Sequence, residues 1–465
     1  MNNVALIVFG ITGDLATRKL IPAIYHLLQK KRIDTIALIG AAFEDMQPDV
    51  ILERAKKYIP HVDQNVWQKL HECFYYQKLN FTNKNDYFAL AQLINTVEQK
   101  HQLSGNRIAY LAAASHFFCD ITQYMGESGT IKRMSGDASS WQRIVYEKPF
   151  GRNLQSAHEI NECIQQWFDE TQIYRADHYL TKELVSNITL LRFTNCVFEP
   201  LWNNQYIDSV QIILSEDRGI ENRGAYYDKY GALCDVVQNH MLELLALVAM
   251  EAPQKLIGDF VRDKRAQVLK DVRVIDGILG QYANYTHEEY VQPDSKTETF
   301  AALCLAVDNA RWTGVPFYLK TGKCLNTYEV VINIKFKQVA CLMLAKDCPI
   351  DSNWLTIRVA PDATFVLTLN AKKPGRSDEL ITIPLEFCHS CLYGEVTPDA
   401  YEVLLEEVLT GEQATSVRFD EIESAWQVID RVHHKNFPVY SYACGSTGPL
   451  EMEQFCKKHG MRWRS

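Results

Sequence analysis

Short apolar runs alternate with amphipathic stretches through residues 1–176. "VALIVFG" reads as a strand ending at Gly10, and "LIPAIYHLLQK" places apolar residues at helical spacing. "TIALIGAA" reads as a second strand, and "RIAYLAA" and "RIVYEKPFG" as later members of the same set. Strand and helix taking turns predict a parallel sheet with crossover helices. Beyond Asp177 the texture changes. "SVQIILSE", "EVVINIKFK", "WLTIRVAP" and "TFVLTLN" are alternating, β-rich segments, which predict a mostly antiparallel sheet. Helices return in "LCDVVQNHMLELLALVAM" and "PDAYEVLLEEVL".

Composition narrows this picture. The chain has 465 residues, enough for two domains or one large domain with an extension, and with 47% hydrophobic and 23% charged residues a soluble globular protein with a sizeable core is expected. A net charge of -9 speaks against a nucleic-acid binder with a basic face, but leaves room for a small anionic substrate in a locally positive cleft. No run of 18 apolar residues predicts a membrane span. Neither a basic leader nor a small-residue cleavage site opens the chain, so a cytoplasmic protein is expected. The 13 scattered cysteines are read as reduced and mostly buried. The pair in "CHSC", Cys388 and Cys391, lacks the second pair of a structural zinc site. No cluster of acids or histidines has ligand spacing, so no metal is expected.

Three segments carry candidate chemistry. "VFGITGDLATRKL" follows a strand and opens a helix. Gly10 and Gly13 permit a tight turn and close approach of a pyrophosphate, which the helix N-terminus would stabilise. The spacing is G-x-x-G-x-x-A, and a βα turn without a ligand is the plainer reading. The stretch "YRADHYLTKE", Tyr174 to Glu183, crowds acids, bases, a histidine and tyrosines at the junction of the two textures, where clefts form; a solvated loop is the alternative. In "GALCDVVQNHMLELLALVAM", His240 shares the buried face of Val236, Val237, Met241 and Leu244. A general base there needs an acid to hold its tautomer. Asp235, five residues earlier, lies roughly 140° around an α-helix. The acid is therefore expected from elsewhere, with Asp177 a candidate; a satisfied core histidine is the competing reading.

Taken together, these residues resemble the glucose-6-phosphate dehydrogenase family over essentially the whole chain. "FGITGDLATRKL" is similar to the family's cofactor loop and "YEKPFGRNLQSA" to its strand-end lysine motif. "RADHYLTKE" matches the signature R-x-D-H-Y-L-x-K-E. "NRGAYYDKYGALCDVVQNHML", "PDSKTETFAAL", "GVPFYLKTGK" and "PVYSYACGSTGP" follow in order. The resemblance implies a Rossmann-like α/β dinucleotide-binding domain at 1–176. It also implies an α+β domain at 177–465, with a large, mostly antiparallel sheet, for substrate binding and dimerisation. It makes His240 the base that takes the proton of the C1 hydroxyl of glucose 6-phosphate, with Asp177 as its partner. His178, Tyr179 and Lys182 would grip the phosphate, which cationic groups meet with charge-assisted bonds. Lys148 would lie between sugar and nicotinamide, and Glu216, Asp235 and Lys323 would bind the hexose or its phosphate. Gly10, Thr12, Gly13, Asp14, Leu15 and Lys148 would line the cofactor. A homodimer or homotetramer is implied.

Several positions depart from the family. After the second strand the usual arginine is Phe43, followed by Glu44 and Asp45. A carboxylate there favours a free ribose 2′-hydroxyl over a phosphate, so NAD competes with the family's NADP. Thr12 and Arg18 binding the phosphate is the opposing reading. "LAAAS" replaces paired prolines with Ala114 and Ser115. Thr181 replaces a glycine, Tyr328 a basic residue and Ala360 a glutamine. Arg358 and the run Lys372 to Arg376 are candidates for a second dinucleotide site or for a solvated turn. Two further classes stand beside the active dehydrogenase: a related oxidoreductase acting on another hexose, and a catalytically weakened member with a binding role.

Overall fold

The computed structural model describes residues 3–134, 140–339, 351–375, 380–388, 391 and 398–464. The chain forms two compact units. The first comprises Met1–Thr181, Ile257–Arg262 and Pro398–Glu423; the second comprises Lys182–Leu256, Asp263–Thr397 and Ser424–Ser465. The first crossing thus falls after Thr181 rather than at 176, and two later segments return to the first unit. Helix Ala400–Thr410 accounts for one of them. Its Leu404, Leu405, Val408 and Leu409 are buried in the same core as Ile21, Ile24 and Leu28. Lys30 and Lys19 bind its Glu402 and Asp399 at 2.6 and 2.8 Å. Amphipathic spacing shows that one helix face is buried, but not against which core.

The first unit is built on β1 (Asn3–Phe9), β2 (Thr35–Ala42), β3 (Phe74–Lys78), β4 (Arg107–Leu111), β5 (Gln142–Tyr146) and β6 (Ile173–Arg175). Their order is β3-β2-β1-β4-β5-β6 and every pairing is parallel. Parallel strands covered on both faces read as continuous apolar runs, and β1 is buried from Val4 through Phe9. The order reverses between β1 and β4, and in open sheets of this kind ligands bind beyond the carboxyl ends at that switch point.

The second unit holds β7 (Ile207–Ser215), β8 (Val272–Tyr282), β9 (Phe300–Val307), β10 (Pro316–Gly322), β11 (Glu329–Phe336), β12 (Trp354–Ala360), β13 (Thr364–Lys372), β14 (Leu380–Cys388) and β15 (Val439–Tyr442). They form one sheet in the order β14-β13-β12-β11-β7-β10-β9-β8-β15. Six pairings are antiparallel, and β10 with β7 and β15 with β8 are parallel. The expected architecture is therefore present, with these two exceptions. The helical run Glu221–Ala249 is long and apolar enough to cross a membrane, but 94% of its most apolar 18-residue window is buried in the fold. It is a core element.

Candidate functional site

In the first unit the chain leaves β1 at Gly10 with φ +86°, where a Cβ would stand 2.5 Å from the carbonyl oxygen of Ala112. Only glycine accepts that combination. The Gly10 N–H donates to Ala41 O at 2.7 Å, and the Gly13 N–H returns to Gly10 O at 3.0 Å. The helix then starts at Asp14. A tight turn beneath a helix N-terminus at the end of a central strand suits a pyrophosphate, so the residues fit a dinucleotide. Asp14 and Leu15 sit in the first helical turn, where Asp14 meets Arg18 at 3.4 Å.

Beyond β2, Phe43 packs its ring against Phe81 and Phe117, with centroids 4.5 and 5.7 Å away, and stays 42% exposed. Thr12 Oγ1 donates to Glu44 Oε2 at 2.8 Å. The Tyr76 hydroxyl donates to the carbonyls of Ala42 and Glu44, pinning this corner. The turn that lacks its prolines still forms: Ser115–Phe117 is a 3-10 turn in which the Phe117 N–H meets Ala114 O at 2.9 Å.

The end of β5 leads to Glu147 and Lys148. Burial pushes the Glu147 carboxyl up to about 7, opposed by its hydrogen bond from the Tyr110 hydroxyl and by Lys148. Past β6, Asp177 is buried and its Oδ1 accepts the Tyr179 N–H at 2.8 Å, closing the turn that presents the next two residues. The His178 ring lies 4.8 Å from that of Tyr179 and stacks at 6.5 Å on Tyr401. Thr181 Oγ1 donates to His178 O at 3.3 Å. The signature arginine, Arg175, is buried against Glu170 and Asn161, which makes it an anchor for the turn.

In the second unit Lys182 is the N-cap residue of helix Glu183–Phe193. Glu216 pairs with the buried Lys323 ammonium, which stands 5.6 Å over the Tyr227 ring. The Lys323 backbone is held as well: its N–H donates to Thr299 O at 2.9 Å, and its carbonyl accepts from the Tyr442 hydroxyl at 2.7 Å. Asp235 accepts from Arg223 and from the Tyr226 hydroxyl, both at 3.3 Å. Glu216, Asp217, Arg218 and Tyr328 line a cavity of about 360 Å³. Ala360 is buried opposite Val330. Arg358 is half-buried and Lys372 exposed; Arg376 lies outside the described residues.

Two expectations are corrected. Leu233–Met241, which carries Asp235 and His240, is a π-helix rather than an α-helix. Its i to i+5 pitch brings residues five apart to one side, so the separation of 140° expected for an α-helix does not apply. Both residues are buried, at 3% exposure each. The cysteines are not all reduced. Cys324 joins Cys444 across 120 residues, and Cys388 joins Cys391. Of the seven free ones described, Cys73, Cys234 and Cys304 are buried and Cys196 is exposed. The sequence reading also passed over Tyr110, Glu147, Tyr401, Arg223, Tyr226, Tyr227 and Glu298. Glu147, Arg223, Tyr226, Tyr227 and Glu298 lie inside the family motifs, and Tyr110 and Tyr401 inside the strand "RIAYLAA" and the helix "PDAYEVLLEEVL", where only periodicity marks them.

The model of the glucose-6-phosphate dehydrogenase NAD binding domain matches residues 7–187, and that of the C-terminal domain matches 189–464. The chain belongs to the glucose-6-phosphate dehydrogenase family. It is 37% identical to glucose-6-phosphate 1-dehydrogenase of Bacillus subtilis, over 98% of this chain and 97% of that one. It is 35% identical to the chloroplastic enzyme of Spinacia oleracea, over 99% of this chain and 83% of that one. A solved glucose-6-phosphate dehydrogenase in complex with glucose-6-phosphate superposes with a TM-score of 0.91 at 32% identity, covering 100% and 99% of the two chains. Levoglucosan dehydrogenase, at 10% identity and a TM-score of 0.53 over 93% and 96%, shares the fold alone. Membership makes this chain an oxidoreductase with a nicotinamide-dinucleotide domain.

Proposed function

We propose that this chain oxidises glucose 6-phosphate at C1 to 6-phosphoglucono-lactone, the entry step of the oxidative pentose phosphate pathway. The observation that carries the proposal is the likeness, over the full chain, to a protein solved with glucose-6-phosphate bound. His240 is the base for the C1 hydroxyl proton, and Asp177 orients its imidazole and stabilises the imidazolium. His178, Tyr179 and Lys182 hold the phosphate. Anchoring that remote group positions C1 for reaction. Glu216, Asp235 and Lys323 read the hexose, and Lys148 stands at the junction of sugar and cofactor. The bound dinucleotide supplies a hydride acceptor. The Gly10–Leu15 turn and Lys148 hold it.

The cofactor is NAD in preference to NADP. Thr12 is engaged by the Glu44 carboxylate, which would repel a 2′-phosphate and accept from a 2′-hydroxyl. A homodimer packs through the large sheet, where Leu385 and Phe387 on β14 leave an apolar surface exposed.

Initial rates at 340 nm with glucose 6-phosphate or glucose, each with NAD and NADP, test both statements. Glucose 6-phosphate is expected to exceed glucose by at least about 100-fold in kcat/KM, because remote binding energy drives the step. NAD is expected to exceed NADP, and Glu44→Gln to narrow that gap. Equal use of the two sugars would refute the substrate; a strong NADP preference would refute the cofactor.

A further inference from the structure

The helix that carries Asp235 and His240 begins at a break. Gly231 has φ +61° and ψ −177°, so the preceding helix Gly224–Ala232 stops there and a new one starts at Leu233. Such a start leaves backbone N–H groups without intrahelical acceptors, and a partial positive charge gathers there. The next residues of the chain do not cap it. Glu298, 65 residues later, does: its Oε1 accepts the Leu233 N–H at 3.0 Å, and its backbone carbonyl accepts the Ala232 N–H at 2.9 Å. The carboxyl fills the space that Gly231 leaves, since a Cβ on that residue would stand 2.3 Å from Glu298 Oε1. The two positions are complementary. Neither a side chain at 231 nor an empty position at 298 reproduces the junction.

The segment around Glu298 is itself tied down on both sides. Thr297 Oγ1 donates to Asp228 O at 2.7 Å, and the Asp228 carboxylate accepts from Tyr285 at 3.0 Å and from Ser295. On the other side Thr299 accepts the Lys323 N–H at 2.9 Å, and its hydroxyl pairs with Tyr442 at 2.9 Å. Glu298 therefore links the start of the Asp235 and His240 helix to the strand end that presents Lys323. A π-helix is an uncommon winding that needs support from its surroundings, and a small rotation at Leu233 would swing both buried side chains.

We propose that Glu298 is a positioning residue, setting the phase of the Leu233–Met241 helix so that Asp235 and His240 are aligned with Lys323. This rests on the roles given to His240, Asp235 and Lys323 above. The acceptor oxygen does the positioning, so glutamine serves in its place and alanine does not.

The test compares Glu298→Ala, Glu298→Gln and His240→Asn, all as full chains, with glucose 6-phosphate and NAD. For Glu298→Ala, kcat falls by about 20-fold or more, since one misplaced catalytic contact costs on that order. Glu298→Gln recovers to within about three-fold of the parent. Hydrogen exchange over residues 233–241 quickens in Glu298→Ala and stays slow in Glu298→Gln. If Glu298→Ala does not fold, Glu298→Asp, which withdraws the oxygen by one methylene yet keeps the charge, takes its place with a loss of kcat between the other two. A parental kcat in Glu298→Ala or Glu298→Asp overturns the proposal, as does a Glu298→Gln enzyme no better than Glu298→Ala. His240→Asn separates the two readings. Loss of turnover there beside parental Glu298 variants rejects only Glu298, whereas full turnover in His240→Asn rejects the base itself.

Discussion

The two units prepare their candidate residues by opposite means. In the first, the cofactor turn relies on the main chain: Gly10 at φ +86°, its amide on Ala41, and a helix N-terminus just beyond. In the second, side chains do the bracing: Lys323 holds Glu216, Arg223 and the Tyr226 hydroxyl hold Asp235, and the Glu298 carboxyl caps the Leu233 amide. The difference follows from the ligands proposed. A pyrophosphate is met by amides, which every residue but proline supplies. A hexose differs from its isomers only in the placement of hydroxyls, which oriented side chains must read.

Four measurements would break or sharpen this contrast, beginning with the largest effect. His240→Asn should lower kcat by about 10²–10⁴-fold, the usual contribution of a general base, while calorimetry still detects glucose 6-phosphate binding. Cys444→Ser should lower stability by about 2–4 kcal/mol, because the tie to Cys324 closes a long loop. Both described disulfides lie in the second unit. Urea unfolding with and without reductant should therefore shift the parent far more than Cys444→Ser, which keeps only the short Cys388–Cys391 bridge; a parent indifferent to reductant would remove the tie as a stabilising element.

Gly10→Val combines a strained φ with a close approach to Ala112 O, about 1–3 kcal/mol of local strain. The Michaelis constant for the dinucleotide should rise by about 10-fold or more while that for the sugar phosphate changes little. A parallel rise in both would erase the division of labour.

The last measurement concerns pH, and here the units are alike. Burial raises Glu147 in one and Glu298 in the other from the ordinary 4.5 to about 7. A carboxyl raised on folding favours the folded state while protonated, and that advantage is lost as pH climbs from about 4.5 through 7. Each group, partly exposed as a residue, should cost about 2 kcal/mol of stability above pH 7. Glu298→Gln should unfold later than the parent at pH 8 and differ little at pH 4.5. Identical pH dependence in the two proteins would show that Glu298 ionises as an ordinary surface acid.

Much of this was legible before any coordinates. The apolar runs of β1, β2, β4 and β5 and the alternating β7, β11, β12 and β13 all appear where periodicity placed them. So does the glycine turn at residues 10–13. The spacing of helix Ala400–Thr410 marks it as a helix, but its stripe of leucines does not say that it packs in the core of the first unit. Phe43, noted only as a missing arginine, turned out to belong to an aromatic cluster with Phe81 and Phe117.

By itself, the order of residues determined the two textures, their elements and the motifs that place this chain in its family, because periodicity and turn chemistry act over a few neighbouring positions. Tertiary structure alone decided that residues 233–241 wind as a π-helix, that Glu298 caps it from 65 positions away and that Cys324 meets Cys444. The last two are contacts between segments far apart in the chain, and the winding draws support from the first of them; their energies depend on distances that no local pattern encodes.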